Sequence, residues 1–189
     1  ENMKNIKSYL ITDPNYFSDN KEIFKEKLIA VLKNHKIDFA CFRDKSSKNI
    51  EELAKIFLQI CKEFKIENIL INSNISLATK LGFDGVHLNS QQFDKIENAK
   101  KSKLITIISC HNLEELEKAI NKNIDFVTYS PIFDTPNKGQ SKGVDKLNEV
   151  IEKFPNLKIF ALGGIIQNEQ IKEIEKTKAY GFASIRYFI

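Results

Sequence analysis

Short apolar runs alternate with longer amphipathic stretches along almost the whole chain. Eight of the short runs are rich in β-branched and apolar residues and have the length of buried strands. Between them, apolar residues recur at spacings of three and four, which is typical of helices with one buried face, as at 21–33, 50–64, 113–121 and 167–177. The predicted strands are 7–12, 38–43, 68–72, 85–89, 104–109, 126–130, 158–162 and 181–185.

This alternation predicts one fold class. A strand that is always followed by a helix requires parallel strands with crossover helices, and eight such units close a (β/α)8 TIM barrel. No linker rich in Pro, Gly or Ser interrupts the pattern, so residues 1–189 are predicted to form a single domain. With 189 residues the chain is short for a fold of about 250 residues.

The composition is that of an ordinary soluble domain, with 42% hydrophobic and 29% charged residues. Lys and Arg number 29 against 25 Asp and Glu, a net charge of +4, and the two signs are interspersed, so no nucleic-acid partner is predicted. No apolar run approaches the ~20 residues of a membrane span, and the first residues lack a signal-peptide core. Cys41, Cys61 and Cys110 form no CxxC, which favours a reducing, cytoplasmic location.

Two cations follow the second predicted strand. Barrels of this kind carry their active sites at the carboxyl ends of the strands. Arg43 and Lys45 are two positions apart, so both can point to one side of the barrel mouth. A planar guanidinium beside an ammonium suits a phosphate or diphosphate, although a solvated basic loop is an alternative interpretation.

Histidine and asparagine residues occur at the next strand ends. Asn74 and Asn112 stand just before helical patterns, where a lone Asn is most often a helix N-cap. His87 and His111 lie on neighbouring strands, but they have neither HxxxH spacing nor a carboxylate partner in sequence. No metal site is therefore predicted, and we expect His87 to be a hydrogen-bonded core residue.

The sixth and seventh strands end in segments suited to phosphate. Residues 130–143 contain two prolines, two glycines and two lysines, which is typical of a long loop that closes over a site. Thr135 and Lys138 are its phosphate-binding candidates. After the seventh strand, Gly163 and Gly164 lack side chains, so their backbone amides can approach an anion.

Six motifs follow one another in an order that resembles the thiamine phosphate synthase and TenI family. The resemblance runs from about Ser8 to Ile185, which is nearly the whole chain, and does not distinguish the branches of the family. The motifs are YLITD at 9–13, FRDK at 42–45, GVHL at 85–88, SxH at 109–111, PIFDTxxK at 131–138 and ALGGI at 161–165.

In the synthase branch, the resemblance implies a transferase of thiamine biosynthesis. A pyrimidine methyl diphosphate loses diphosphate to give a stabilised cation, and the nitrogen of a thiazole phosphate captures that cation. Positive groups then stabilise the leaving diphosphate. The resemblance assigns the diphosphate to Arg43, Lys45, Asn72, Ser109 and Lys138, and the thiazole phosphate to Thr135, Gly163 and Gly164.

The resemblance also implies magnesium, and here the sequence departs from the family. Ser73 and Gln92 occupy the two positions where the synthases carry magnesium-binding carboxylates, and Cys41 replaces a glutamine that contacts the diphosphate. Magnesium prefers hard anionic oxygens, so we expect a weak site and assign no metal ligand. Asp44 and Asp94 are carboxylates close to these positions in sequence.

Two further functions remain open from the sequence. The TenI branch includes thiazole tautomerases, which move a proton without a metal, and a non-catalytic binder or regulator of phosphorylated ligands would use the same fold. Pro131 stands where the tautomerases place a histidine, so His111 would be the available acid or base. The candidate catalytic residues are therefore His111 and, beside the leaving group, Lys138.

The segment after the eighth strand is another departure. Residues 184–189 end the chain, whereas the resemblance implies a final helix whose start helps to bind phosphate, so we expect this helix to be missing. Arg186 either replaces part of the positive electrostatic field at the start of that helix or is a surface residue. Phe188 and Ile189 could fill the apolar seam that results, or a second subunit could cover it in a homodimer.

Overall fold

A computed structural model describes residues 6–189 and confirms the predicted barrel. Eight parallel strands form a closed sheet in which each strand pairs with its neighbours in sequence and β8 pairs with β1. All eight lie within a residue or two of the predicted bounds. They are β1 (Lys7–Ile11), β2 (Phe39–Phe42), β3 (Asn68–Asn72), β4 (Gly85–Leu88), β5 (Ile105–Cys110), β6 (Phe126–Tyr129), β7 (Ile159–Leu162) and β8 (Gly181–Ser184).

The connections are helical. The first connection contains two helices, and a 3-10 turn at Phe93–Lys95 leads into the helix after β4. Asn74 and Asn112 are N-caps, as predicted: their side-chain oxygens accept hydrogen bonds from the amides of Leu77 and Glu115. The helices are α1 (Pro14–Phe17), α2 (Lys21–Asn34), α3 (Ile50–Glu63), α4 (Ile75–Leu81), α5 (Ile96–Lys101), α6 (Leu113–Asn121), α7 (Gly143–Lys153) and α8 (Asn168–Glu175).

Alternate strand residues point to the two sides of the sheet and divide the core. The larger cluster lies between the sheet and the helices. The smaller cluster fills the barrel, where the rings of Phe39, Phe126 and Phe160 meet with centroids 5.1 to 5.9 Å apart. The buried members of the inner cluster are Tyr9, Ile11, Phe39, Cys41, Leu70, Ile107, Phe160 and Ala183.

After β8 the described chain forms a 3-10 turn, Arg186–Phe188. Phe188 is 4% exposed and packs its ring against Phe182 and His35, with centroids 5.8 and 5.2 Å apart. Ile189 is 60% exposed. Of the two residues expected to fill an apolar seam, Phe188 is therefore packed against its neighbours and Ile189 is exposed.

Phe188→Ala should destabilise the protein, because it deletes a buried ring packed against Phe182 of β8 and His35 at the end of α2. We expect the free energy of unfolding, measured by urea denaturation, to fall by about 3 kcal/mol. Ile189→Ala is the matched control and should change it by less than about 0.5 kcal/mol. Equal effects of the two substitutions would show that the turn does not pack as described.

Within residues 6–189, none of the helices has the length and apolar character that crossing a membrane requires.

Candidate functional site

The mouth of the barrel carries a guanidinium held in place by two neighbours. Arg43 follows β2, and its backbone amide donates to the hydroxyl of buried Thr12, 3.2 Å away. Its Nη1 donates to Oδ2 of Asp13 at 3.1 Å, and the Arg43 side chain is 32% exposed. Arg43 continues the inward register of Phe39 and Cys41, so its cationic head lies over the barrel interior.

Lys45 lies within reach of the positive charges of both Arg43 and Lys138. The pKa of Lys45 is lowered first by the charge of Arg43, then by burial and by the charge of Lys138. The structure therefore brings together the three cations that the sequence analysis assigned to one anion. A bound diphosphate would relieve their repulsion.

A hydrogen-bonded chain of side chains crosses the barrel beneath these cations. The hydroxyl of Tyr9 lies 2.6 Å from Nδ1 of His87, and Nε2 of His87 lies 2.9 Å from the hydroxyl of Ser109. Tyr9 and His87 are buried, as predicted for the histidine. A neutral ring has one donor and one acceptor nitrogen, so a Tyr9 hydroxyl that donates to Nδ1 leaves Nε2 to donate to Ser109. The Ser109 proton is then free for a ligand at the mouth.

Burial keeps the hydrogen-bonded side chains of Tyr9 and His87, and the neighbouring thiol of Cys41, uncharged. It lowers the pKa of His87 to about 3, assisted by the charge of Arg43, and raises the pKa of the Cys41 thiol to about 12. Burial, followed by the proximity of Cys41, also raises the pKa of Tyr9. Cys41 is fully buried and therefore unreactive, at the position where the resemblance implies a glutamine.

The lowered pKa of His87 should appear in the pH dependence of stability. The unfolded chain binds a proton at this residue below a pH of about 6.5, and the folded chain does not until about 3, so stability is lost as the pH falls through that interval. From this residue we expect about 2 kcal/mol of unfolding free energy to be lost between pH 7 and pH 5. His87→Gln should flatten the profile of unfolding free energy against pH, measured by urea denaturation at each pH.

Amide side chains occupy the mouth above β3 and β4. The hydroxyl oxygen of Ser73 accepts from Nδ2 of Asn72 at 3.2 Å and from Nδ2 of Asn89 at 3.4 Å. Nε2 of Gln92 donates to the backbone carbonyl of Ser73 at 3.1 Å, and Oε1 of Gln92 accepts from the backbone amide of Asn89 at 3.0 Å. This network borders a cavity of about 580 Å³, which is also lined by Lys45, Lys95, Asn98 and Asp44.

The donor set of this cavity does not fit magnesium. Ser73 and Gln92 do meet, as expected for two positions of one metal site, but both are uncharged and already hydrogen-bonded to neighbours. Asp44 accepts from the Ser46 and Ser47 amides and from the Ser47 hydroxyl, and Asp94 is exposed. In residues 6–189, no three His, Cys, Asp or Glu side chains are grouped to hold a metal.

Close packing explains the two glycines after β7. A Cβ on Gly163 would lie 2.6 Å from the Cα of Pro131, and one on Gly164 would lie 2.4 Å from the carbonyl oxygen of Asp134. Both glycines have positive φ. The loop after β6 is thus packed against the end of β7. This loop carries Thr135, whose hydroxyl donates to the Phe133 carbonyl at 3.1 Å.

Arg186 and His111 lie at the mouth without joining the cation cluster. Arg186 opens the turn after β8 and is half-buried, and within the described residues its guanidinium has no carboxylate within ion-pair distance. His111 follows β5 with an exposed ring, whose Nδ1 lies 3.1 Å from a carboxylate oxygen of Glu115. The structure therefore gives His111 a partner on α6 and no contact with the assigned phosphate residues.

The sequence analysis missed Tyr9 and Asn89 as site residues. The inward register of Tyr9 was readable from its place in β1, but its contact with His87 joins β1 to β4 across the barrel and depends on closure. Thr128 was also missed. It pairs with Ser109 in the sheet and carries, within the described part of the chain, the one buried side-chain oxygen without a hydrogen-bond partner.

Comparisons with known proteins give a consistent picture. The sequence profile of the family described as "Thiamine monophosphate synthase" matches residues 8–188. A protein of Aquifex aeolicus named "Putative thiamine-phosphate synthase 2" is 36% identical over 186 residues, covering 96% of each chain. "Thiamine-phosphate synthase" of Pelagibacter ubique is 33% identical over 171 residues, covering 87% of this chain and 81% of the relative.

A solved structure agrees with these relatives. The "Thiamine phosphate pyrophosphorylase" of Pyrococcus furiosus superposes with a TM-score of 0.80 at 25% identity. The superposition covers 95% of this chain and 85% of that one.

Proposed function

The chain belongs to the thiamine monophosphate synthase family, and from this premise we propose that it joins a pyrimidine methyl diphosphate to a thiazole phosphate in thiamine biosynthesis. In this transfer, the bond between the pyrimidine methylene carbon and a diphosphate oxygen breaks. The thiazole nitrogen then forms a bond to that carbon, and diphosphate is released with the bonding electron pair.

The observation that supports this proposal best is the cation cluster at the mouth. The positive charges of Arg43 and Lys138 both lower the pKa of Lys45, and Arg43 is the group oriented over the barrel interior. A departing diphosphate accumulates negative charge, and preorganised cations stabilise such charge without rearranging during the reaction. We assign the leaving group to these three residues, with Lys138 as the cation supplied by the loop.

Neutral donors complete the proposed site. We assign hydrogen bonds to the diphosphate to Ser109, whose hydroxyl contacts His87, and to Asn72 at the end of β3. Thr135 and the amides of Gly163 and Gly164 are assigned to the thiazole phosphate. Among the hydrogen bonds of residues 6–189, neither glycine amide donates to another protein atom, so both are available to an anion. Arg186 is assigned to the same phosphate.

No step of the proposal runs through magnesium, because the residues at the expected ligand positions are uncharged and mutually hydrogen-bonded. What this chain supplies is positive charge from side chains and exclusion of water by the loop after β6. Its partners are two phosphorylated small molecules. The cysteines Cys41, Cys61 and Cys110 are all free and buried, which suits the reducing cytoplasm proposed for these substrates.

The tautomerase function is less well supported. The position of its histidine is Pro131 here, and His111 is engaged by Glu115 at the rim of the mouth. The named relatives reported above are synthases.

Mass spectrometry of a reaction mixture tests the proposal. Purified protein incubated with both synthase substrates should release diphosphate and form thiamine phosphate in equal amounts. The carboxythiazole phosphate tautomer alone should give no spectral change. If the tautomer aromatises and no thiamine phosphate forms, the protein is a tautomerase. If ligands raise the melting temperature and neither reaction occurs, it is a binder.

A further inference from the structure

The cavity above β3 and β4 has the properties of an anion site. Lys45 and Lys95 line it, and in residues 6–189 neither ammonium group has a carboxylate within ion-pair distance. Asp44, the one carboxylate of the lining, is engaged by its own loop through three hydrogen bonds. Two cations without a carboxylate partner therefore line the cavity. Apart from Asp44, its other residues carry amides, hydroxyls or the apolar side chains of Phe42, Ile50, Ile71, Ile75 and Leu77.

Ser73 is arranged as a donor and not as a metal ligand. Its hydroxyl oxygen accepts from two side-chain amides, those of Asn72 and Asn89. A hydroxyl oxygen has two lone pairs, so an oxygen with two such donors has none left for a cation. The hydroxyl proton remains available, and a proton of this kind suits an anion.

Gln92 is likewise committed. Its two polar atoms bridge the Ser73 carbonyl and the Asn89 amide, which holds the loop after β3 against the loop after β4. The Gln92 side chain thus links the two loops by hydrogen bonds, at the position where the resemblance implies a metal-binding carboxylate. Lys95 follows one turn later, in the 3-10 turn that leads into α5, and extends the positive charge of Lys45 along the same cavity.

We propose that the diphosphate held by Arg43, Lys45 and Lys138 extends from Lys45 into this cavity and is bound without a divalent cation. Lys95 supplies further positive charge, and the Ser73 hydroxyl donates a hydrogen bond. This inference rests on the proposed function, because diphosphate is the leaving group of that reaction. It adds Lys95 as a diphosphate-binding residue. It also predicts that lysine side chains neutralise the negative charge of the diphosphate, a role that the metal ion has in a magnesium-dependent enzyme.

Calorimetry with inorganic diphosphate tests the proposal without any turnover. The parent protein should bind diphosphate in EDTA at least as tightly as in excess magnesium, because magnesium competes for the same oxygens. Lys95→Met should weaken binding in EDTA on the order of tenfold, the effect of losing one charge-assisted contact. Lys101→Met is the control. Its ammonium is already paired with Glu97 at 3.2 Å, so affinity should change less than about twofold.

A second variant tests whether diphosphate binding depends on uncharged side chains at positions 73 and 92. Ser73→Asp combined with Gln92→Asp places two carboxylates in the cavity, and Asp tolerates the left-handed φ of 62° at residue 73. The double variant should bind diphosphate at least about tenfold more weakly in EDTA and recover affinity when magnesium is added. Parent binding that requires magnesium, or an unchanged affinity of Lys95→Met, would overturn the proposal.

The outcomes separate this inference from the proposed function. Diphosphate binding in EDTA without any thiamine phosphate formation would leave the cavity assignment standing and refute the synthase function. Formation of thiamine phosphate only in the presence of magnesium would confirm the synthase function and refute the metal-free cavity.

Discussion

Arg43→Ala is expected to weaken diphosphate binding by about 2 kcal/mol, roughly thirtyfold in Kd. The substitution deletes the guanidinium oriented over the barrel interior. It also leaves the Asp13 carboxylate, now without its partner at 3.1 Å, as a negative charge at the mouth. Both changes oppose an anion, so the rate of thiamine phosphate formation should fall at least as much as the affinity.

Two further variants separate these contributions. Asp13→Asn in the Arg43→Ala background should recover part of the affinity, because the amide keeps the cap on α1 and removes the charge. Lys62→Ala, in the last turn of α3, changes the net charge equally and should have little effect. Unchanged calorimetric affinity of Arg43→Ala for diphosphate and for both substrates would refute the assignment of Arg43.

Gly164→Ala is expected to lower the free energy of unfolding by about 3 kcal/mol. The new methyl group would lie 2.4 Å from the Asp134 carbonyl oxygen, and the residue has a φ of 67°, which carries its own cost. The loop that bears Thr135 and Lys138 must then move away from β7. Thiamine phosphate formation should therefore fall by more than the loss of folded protein accounts for.

Gly82→Ala is the matched control for this effect. Gly82 has a φ of 86° at the end of α4, and a Cβ there would meet no atom within 4 Å. It should lose only the cost of the backbone conformation, about 1 kcal/mol, and should keep full activity. If chemical denaturation gives the same loss for both variants, the close packing of the β6 loop against Gly164 is wrong.

The barrel could be predicted from sequence because its strands and helices carry different periods. A strand such as β7 is a short apolar run, α3 repeats at three and four, and these patterns do not depend on distant contacts. The same logic placed Arg43, Lys45 and Lys138 at one end of the barrel, since the carboxyl ends of parallel strands share that end.

The finer parts of the site could not be predicted because they depend on closure of the barrel and on single backbone conformations. His87 meets Tyr9 because β1 and β4 face each other across the interior. Gln92 reaches the Ser73 carbonyl where the chain turns through a left-handed conformation at Ser73, which apolar periodicity does not reveal. The short helix α1 depends on the local cap by Asp13 and not on a repeated apolar face.

The measurement that tests the central claim most directly is a crystal structure of the protein with thiamine phosphate and diphosphate. The account predicts diphosphate between Arg43, Lys45 and Lys138, and the phosphate of thiamine phosphate against the amides of Gly163 and Gly164. Diphosphate located away from the three cations, or thiamine phosphate bound outside the mouth, would contradict the account.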